Sequence, residues 1–577
     1  MTTAPDTPNS SEIKKRRTLS EFLNSEAGMR AGKLLVGAVA IGLVFWKLQF
    51  STDAICCGDF DGYYHIKWSR LLWEGIRSRH FPPAFTWLPL TTLNPRSYVD
   101  HHLLFHFLQI PFTWFGDLRL VAKISATRFA GLAVFSCYWL IVRYRINYAL
   151  VWLVALLACS APFLYRMNMA KAPPFAIIYL VIGLYLFFER KYWLLAPLAF
   201  VFALTYDMFV LLGLAAVTWV IVIAWTERRF EWRPLLWVLV GSLAGLIINP
   251  YFPRNLHLLY EHVIIKVTAQ DFSTKVGMEW YPYDSWEFMI NCLVALAAML
   301  TGYIAFDGED RKRSTRQLFL LIFATALMIM TMRWKRFAEY WPPFAVLFAA
   351  FALEPIFLGG RSAVSRLPSD LLDELEPFLD RQEPTEVAAA TERRELMQTI
   401  KAGAVAVVLG VVLFFNLSAT AKDIGKSSKH DHYRNGIAWI RSNVPAGQMV
   451  FNTDWDDFPR LFYYDPTHVY VTGLDPTYLL DQSPELSRLY DRITLGQEKD
   501  PGPLIRDKFG ARYVFSDNTD DHDEFYANAM GSGWFDRVYE DEDCTILRLR
   551  DEKGEPPPES QPDPDEEGGD AEPDNSP

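Results

Sequence analysis

Apolar runs close to twenty residues long, repeated between residues 32 and 420, constrain this chain more than any other feature. A hydrocarbon layer about 30 Å thick takes about 20 helical residues to cross, and backbone polar groups inside it must be satisfied within the helix. About eleven runs approach this length: 32–50, 120–142, 148–165, 173–188, 192–205, 208–225, 234–249, 288–306, 317–332, 341–358 and 402–420. Two of them, 173–188 and 192–205, are short, so the expected count is about 11 to 13 helices. The 577 residues are 51% hydrophobic and 15% aromatic, yet the mean hydropathy is only +0.06. A heavily apolar part must therefore be diluted by a polar one, and the change falls near Thr420.

Charge patterning gives an orientation. Short cytoplasmic loops carry an excess of Lys and Arg, which puts Lys14-Lys15-Arg16-Arg17 and the amino terminus inside. Alternating from there, Arg143 with Arg145, Arg190-Lys191, Arg228-Arg229 and Arg311-Lys312-Arg313 also fall inside. Loops 51–119 and 251–287, the short turn at 166–171, Tyr206-Asp207, the turn at 333–336 and everything after Thr420 then fall outside. The first apolar run follows a polar stretch and lacks a small-residue cleavage site, so it reads as a retained anchor.

The expected domains are a cytoplasmic segment 1–31, a transmembrane domain 32–420 with outer loops 51–119 and 251–287, a soluble domain 421–550 and an acidic tail 551–577. The soluble domain alternates one helical pattern, 433–442, with short β-rich runs at 448–451, 469–472, 512–515, 535–539 and 545–549. It reads as a small extracytoplasmic α/β domain. The Pro-, Glu- and Asp-rich tail buries too little apolar area to fold, and it supplies much of the net charge of −11. The six cysteines have no zinc-site spacing, and a bridge between Cys56 or Cys57 and Cys544 is compatible with an oxidising outer face. There is no Gly-rich nucleotide loop and no nucleic-acid signature.

Polar chemistry gathers on the outer side. Asp59-Phe60-Asp61-Gly62-Tyr63 follows the first apolar run, and Tyr98-Val99-Asp100-His101-His102 follows in the same loop. Carboxylates and imidazole at a membrane surface hold a divalent cation or orient a nucleophile. Lys275-Val276-Gly277-Met278-Glu279-Trp280 and Lys335-Arg336-Phe337-Ala338-Glu339-Tyr340 lie in later outer loops, and Asp454-Trp455-Asp456-Asp457 opens the soluble domain.

These residues resemble the membrane glycosyltransferases of the GT-C class, within it the catalytic subunit of oligosaccharyltransferase and its single-subunit prokaryotic relatives. Asp61-Gly62-Tyr63 resembles the first acidic motif, whose carboxylate is catalytic. Lys335-Arg336 before Pro342-Pro343 resembles the Arg-containing turn that contacts the lipid-linked phosphate, and Glu279 lies where the family has a loop Glu. Asp454-Trp455-Asp456-Asp457-Phe458 is similar to the Trp-Trp-Asp-Tyr-Gly signature. The resemblance implies a polytopic α-helical membrane protein of GT-C-like fold that transfers a sugar or oligosaccharide from a polyprenyl phosphate or pyrophosphate donor to a protein or glycan acceptor. It implies catalytic roles for Asp61, Asp59 and Glu279, and donor-phosphate binding by Arg336, Lys335, Arg333, Lys171 and Arg166. Acceptor binding would fall to Trp455, Asp456 and Asp457.

The chain departs from the family at Arg166-Met167-Asn168-Met169-Ala170-Lys171, where a second acidic motif is replaced. Either Asp59, Asp61, Asp100, His101 and Glu279 bind Mn²⁺ or Mg²⁺, or Lys171 supplies the positive charge instead. The expected location is a bacterial inner (plasma) membrane. Two other classes share these features: a lipid-linked saccharide flippase, whose polar groups would sit near the bilayer midplane, and a catalytically inactive relative.

Overall fold

In the computed structural model, residues 25–57, 60–265, 277–306, 311–358 and 384–555 are described. Asp59 and the acidic tail beyond Glu555 lie outside the described residues. The chain forms two compact units. The first takes the described residues of Met1–Gly58, His101–Val263 and Met278–Ser427, and the second those of Asp59–Asp100, Ile264–Gly277 and Ser428–Pro577.

The first unit is helical, and each apolar run has become a helix. Glu26–Gln49, Leu118–Arg143, Asp207–Glu227, Ser314–Arg333 and Leu396–Gly425 are long and apolar enough to cross a membrane. Two further candidates are bent pairs, Ala149–Ala158 with Ala161–Asn168 (79°) and Ser285–Asn291 with Leu293–Ala305 (82°). Pro173–Phe188, Tyr192–Thr205, Arg233–Ile248 and Trp341–Ile356 are shorter apolar helices that complete the set. Their outward faces carry bare apolar side chains, such as Trp225 (70% exposed), Ile304 (79%) and Val407 (68%). Water does not tolerate so much exposed apolar surface, whereas lipid does; the protein is an integral membrane protein.

Helix packing in lipid relies on small residues at close approaches. Gly241 and Gly245, four apart on Arg233–Ile248, face Leu195–Thr205, and a Cβ on Gly241 would lie 2.1 Å from the Ala196 carbonyl oxygen. Gly241→Leu is therefore expected to destabilise the protein by about 1–3 kcal/mol, read as a lower Tm in detergent. Gly42→Leu, where nothing lies within 4 Å, should leave Tm unchanged.

The second unit is α/β. Its five strands are β1 (Met449–Asn452), β2 (Val469–Tyr470), β3 (Tyr513–Asp517), β4 (Phe535–Glu540) and β5 (Cys544–Leu549), in the order β2-β1-β3-β5-β4. β1 is parallel to β2 and β3, while β5 runs antiparallel to both β3 and β4. Helix Arg434–Asn443 turns Gly436, Ile437 and Ile440 inward, and Phe451, Val514, Phe525, Phe535 and Leu547 fill the core with no exposed surface.

Residues 60–100 belong to this unit. Helix Asp61–Arg77 packs against Phe458–Tyr464, because both carry rings at helical spacing: Tyr64, Trp68, Phe85 and Phe462 meet in tilted and edge-on pairs. The Trp87 carbonyl accepts from the Tyr470 amide at 2.8 Å, and the Trp87 indole donates to the Pro466 carbonyl at 2.7 Å. Cys56 and Cys57 are bonded to each other, and Cys544 is a buried free thiol in the other unit. The bridge considered between them is thus replaced by one between chain neighbours.

Candidate functional site

Three chain turns of the first unit bring ionisable groups together. Ser160 caps Ala161–Asn168 by accepting from the Phe163 amide at 3.3 Å, and this short helix carries Arg166 near its end. Helix Arg311–Arg333 stops where Trp334 turns extended, and a 3₁₀ turn, Lys335–Glu339, presents Arg336 and Glu339 before Trp341 starts the next helix. The Lys335 amide donates to the Tyr281 carbonyl at 3.1 Å. That bond ties the turn to Met278–Trp280, which carries Glu279.

Glu279 is the hub. Arg336 Nη1 donates to its Oε1 at 2.7 Å and Arg166 Nη2 to its Oε2 at 2.9 Å. Arg166 Nε also donates to Glu339 Oε1 at 2.8 Å, and Glu339 is 1% exposed. Arg336 Nη2 donates to the Tyr206 hydroxyl at 2.9 Å, and the guanidinium lies 5.0 Å from the centre of the Trp280 ring. Burial alone would raise the Glu279 carboxyl, but the charges of Arg166, Arg336 and Lys171 outweigh it and hold the group well below the usual carboxylate range. A carboxylate held ionised so firmly is a poor proton acceptor. Arg336 Nε and Glu339 Oε2 are buried without a hydrogen-bond partner.

Lys335 and Arg333 stand apart from this hub. Lys335 pairs with Glu287 at 2.7 Å and lies over Tyr283, and Arg333 is exposed with its guanidinium over Trp334.

Tyr206 also leads to a second group. His102 stacks on its ring at 5.4 Å and 20°, and Asp207, the next residue, opens a 3₁₀ turn. His101, Asp207 and His262 each offer one ligand atom, and the three atoms lie within 4.8 Å of one another. His262 Nδ1 and Asp207 Oδ2 are 2.8 Å apart. Two imidazoles and a carboxylate suit a divalent transition metal, so the residues present fit a cation.

The three-residue group differs from the cation ligands expected from sequence. Asp59 lies outside the described residues, and of Asp61, Asp100, His101 and Glu279 only His101 joins the group. Glu279 is withheld because two guanidiniums occupy its oxygens. Asp100 is 2% exposed in the second unit, where its carboxylate accepts from the Trp68 indole at 2.9 Å. Asp207, His262 and Glu339 were not singled out as site residues from sequence. Each is an ionisable residue beside an apolar segment, which is a signal in itself, but no local spacing links them.

In the second unit, Asp61 is the first residue of Asp61–Arg77 and follows Phe60, whose φ of 51° is left-handed. The helix amino terminus there favours a negative charge. Arg460 lies 4.3 Å from the centre of the Phe60 ring and donates to the Lys429 carbonyl at 2.8 Å, which braces this turn. Trp455, Asp456 and Asp457 follow β1. Asp457 is 3% exposed, and burial, then the carboxylates of Asp517, Asp456 and Asp454, push its carboxyl well above the usual range.

No family model and no curated protein matches the sequence. Solved structures do. The oligosaccharyltransferase of Archaeoglobus fulgidus in the apo form aligns with a TM-score of 0.57 at 13% identity, over 87% of this chain and 73% of that one. The same organism's oligosaccharyltransferase AglB, in complex with an inhibitory peptide and a dolichol-phosphate, aligns at 0.56 and 13% identity, over 87% and 72%. ArnT from Cupriavidus metallidurans bound to undecaprenyl phosphate aligns at 0.52 and 16% identity, over 89% and 97%. The fold is that of the GT-C membrane glycosyltransferases.

Proposed function

We propose that this protein is a membrane glycosyltransferase that moves a sugar or oligosaccharide from a polyprenyl phosphate or pyrophosphate donor to an acceptor at the outer face of the membrane. The observation that carries the reading is the convergence of Arg166 and Arg336 on one carboxylate, Glu279, at 2.9 and 2.7 Å. Two guanidiniums that grip a carboxylate from opposite oxygens have the donor geometry a phosphate needs. Lys171 adds a third positive charge that acts on the same carboxylate. The dolichol-phosphate and undecaprenyl phosphate held by the similar structures support the donor class.

In this reading the bond from the anomeric carbon to the phosphate oxygen breaks while the acceptor atom bonds to that carbon. Arg336 and Arg166 stabilise the charge left on the phosphate, with Glu279 holding the two guanidiniums in register. Asp61, the carboxylate of the first acidic motif, takes the proton the acceptor loses. Trp455 and Asp456 hold the acceptor. A divalent cation bound by His101, Asp207 and His262 would add positive charge for the donor phosphate. The expected orientation, amino terminus inside and soluble unit outside, puts this chemistry at the outer surface, and a bacterial inner membrane is the proposed location.

The direct experiment is transfer from a defined polyprenyl-linked sugar to candidate peptides, glycans and lipids, followed by mass spectrometry. No product from any donor in a protein that binds donor tightly would favour the inactive relative. Metal removal gives an independent check: exhaustive chelation is expected to abolish transfer, and Mn²⁺ to restore it. His262→Ala should lower the metal content of the purified protein together with activity. Full activity in chelator would leave Lys171 as the group that supplies the charge.

A further inference from the structure

A guanidinium sits wholly inside the second unit, and its hydrogen bonds among the described residues all go to backbone carbonyls. Arg460, on the helix Phe458–Tyr464, has no exposed surface. Its Nη1 donates to the Lys429 carbonyl at 2.8 Å and to the His432 carbonyl at 3.3 Å, and its Nη2 to the Ser428 carbonyl at 3.2 Å. The guanidinium also lies over two rings, 4.3 Å from the centre of Phe60 and 5.1 Å from that of Tyr63, both within cation–π reach. Filling space does not call for this residue. A buried charge is costly, and an apolar side chain of similar volume would pack there without that cost.

The two rings flank Asp61. Phe60 has φ 51° and ψ 1°, a left-handed conformation that a non-glycine residue adopts at a cost and keeps only where its surroundings impose it. From that conformation the chain enters helix Asp61–Arg77, whose first turn closes as the Tyr63 amide donates to the Phe60 carbonyl at 2.8 Å. A phenylalanine before a helix has no side-chain oxygen to cap it. What it offers here is its ring, which Arg460 covers and the Tyr63 ring meets edge-on at 6.5 Å.

Arg460 is tied to the acceptor side as well. It lies one helical turn beyond Asp457, and its amide donates to the Asp457 carbonyl at 3.0 Å. The backbone of this one residue is bonded to the end of segment 455–457, and its side chain is stacked on the turn that sets Asp61.

We propose that Arg460 is a positioning residue for the transfer reaction: its stack on Phe60 and Tyr63, anchored by the carbonyls of residues 428, 429 and 432, holds Asp61 at the first position of its helix and in register with the acceptor segment. This role rests on the proposal that Asp61 takes the acceptor's proton. Arg460 acts through Asp61 and does not meet the substrates, since none of its surface is exposed.

The test uses the full-length protein in detergent and two independent readouts. The first is amide hydrogen exchange over residues 60–65, which needs no substrate. Arg460→Met keeps much of the bulk and removes the charge; it is expected to speed exchange over 60–65 by about tenfold or more while β1 and β3 keep their protection. Should Arg460→Met not fold, Phe60→Leu removes the stacked ring instead and should show the same effect. Arg488→Met, at an exposed arginine of the same unit, should show none.

The second readout is turnover with the donor and acceptor that give product in the unmodified protein. Arg460→Met is expected to lower kcat by about 10- to 100-fold, since a misplacement of about 1 Å suffices for that, with donor KM changed by about twofold at most. Arg460→Lys should recover part of the loss. In an Asp61→Asn background the same Arg460→Met change should cost about twofold or less, because the group it positions is already gone. A merely structural residue would cost the same factor in both backgrounds.

Equal losses in the two backgrounds overturn the proposal, as does unchanged exchange over 60–65 in Arg460→Met and Phe60→Leu. Lost turnover in Asp61→Asn with normal turnover in Arg460→Met overturns the role of Arg460 alone. Normal turnover in Asp61→Asn overturns the proton acceptor itself, and the role of Arg460 with it.

Discussion

Arg336→Ala is expected to lower kcat/KM for the polyprenyl-linked donor by about 100- to 1,000-fold, the usual loss when one preorganised donor to a developing anion is removed. Arg336→Lys should recover only part of it, because an ammonium keeps the charge but not the planar fork. The structure sharpens the control. Arg336 also partners Glu279 and Tyr206, so alanine leaves a buried carboxylate with less compensation and costs stability as well. Pairing Arg336→Ala with Glu279→Gln relieves that cost. If donor titration of the double variant shows normal turnover and affinity, Arg336 only anchors the 278–281 segment. If the loss persists at restored Tm, the guanidinium acts on the donor.

Asp61→Asn is the second large effect, an expected loss of about 100- to 10,000-fold in kcat. Asparagine has nearly the same shape and is also accepted at a helix start, so folding should survive and Tm should change little. What it lacks is basicity. Asp59→Asn should cost less if it plays an auxiliary part. Near-normal turnover in Asp61→Asn would remove the proton acceptor from this motif. Asp100, the alternative in the same loop, is engaged by the Trp68 indole and would have to give up that bond to serve.

Much of the architecture was legible because its causes are local. An apolar run of bilayer length has one stable outcome, a helix, and the eleven runs became helices even where Ala149–Ala158 and Ala161–Asn168 meet at a sharp bend. The strand runs at 448–451, 512–515 and 545–549 fall within two residues of β1, β3 and β5, since β-branched and aromatic clusters bounded by turn residues carry the pattern in a few positions. Arg336 and Glu279 were picked out from separate motifs, and the structure brings them to 2.7 Å.

The rest was not legible because it depends on which loops meet. Asp100 and His101 are neighbours in the chain and were read as co-ligands, yet they enter different units: Trp68 takes the first, while Asp207 and His262 gather round the second. Residues 60–100 read as a membrane loop, but their rings find partners on Phe458–Tyr464. Glu339 sat unremarked beside Arg336 and proved to be the buried partner of Arg166. Nothing in the spacing of these residues encodes those contacts.

The sequence by itself therefore determined the membrane segments, the soluble sheet and the kinds of side chain on offer, because hydrophobic length and side-chain period act over a few turns of chain. The tertiary structure alone decided which of those side chains converge. That choice is made by helix packing, as where Gly241 and Gly245 let two helices touch, and by the ends of helices and strands that such packing brings side by side.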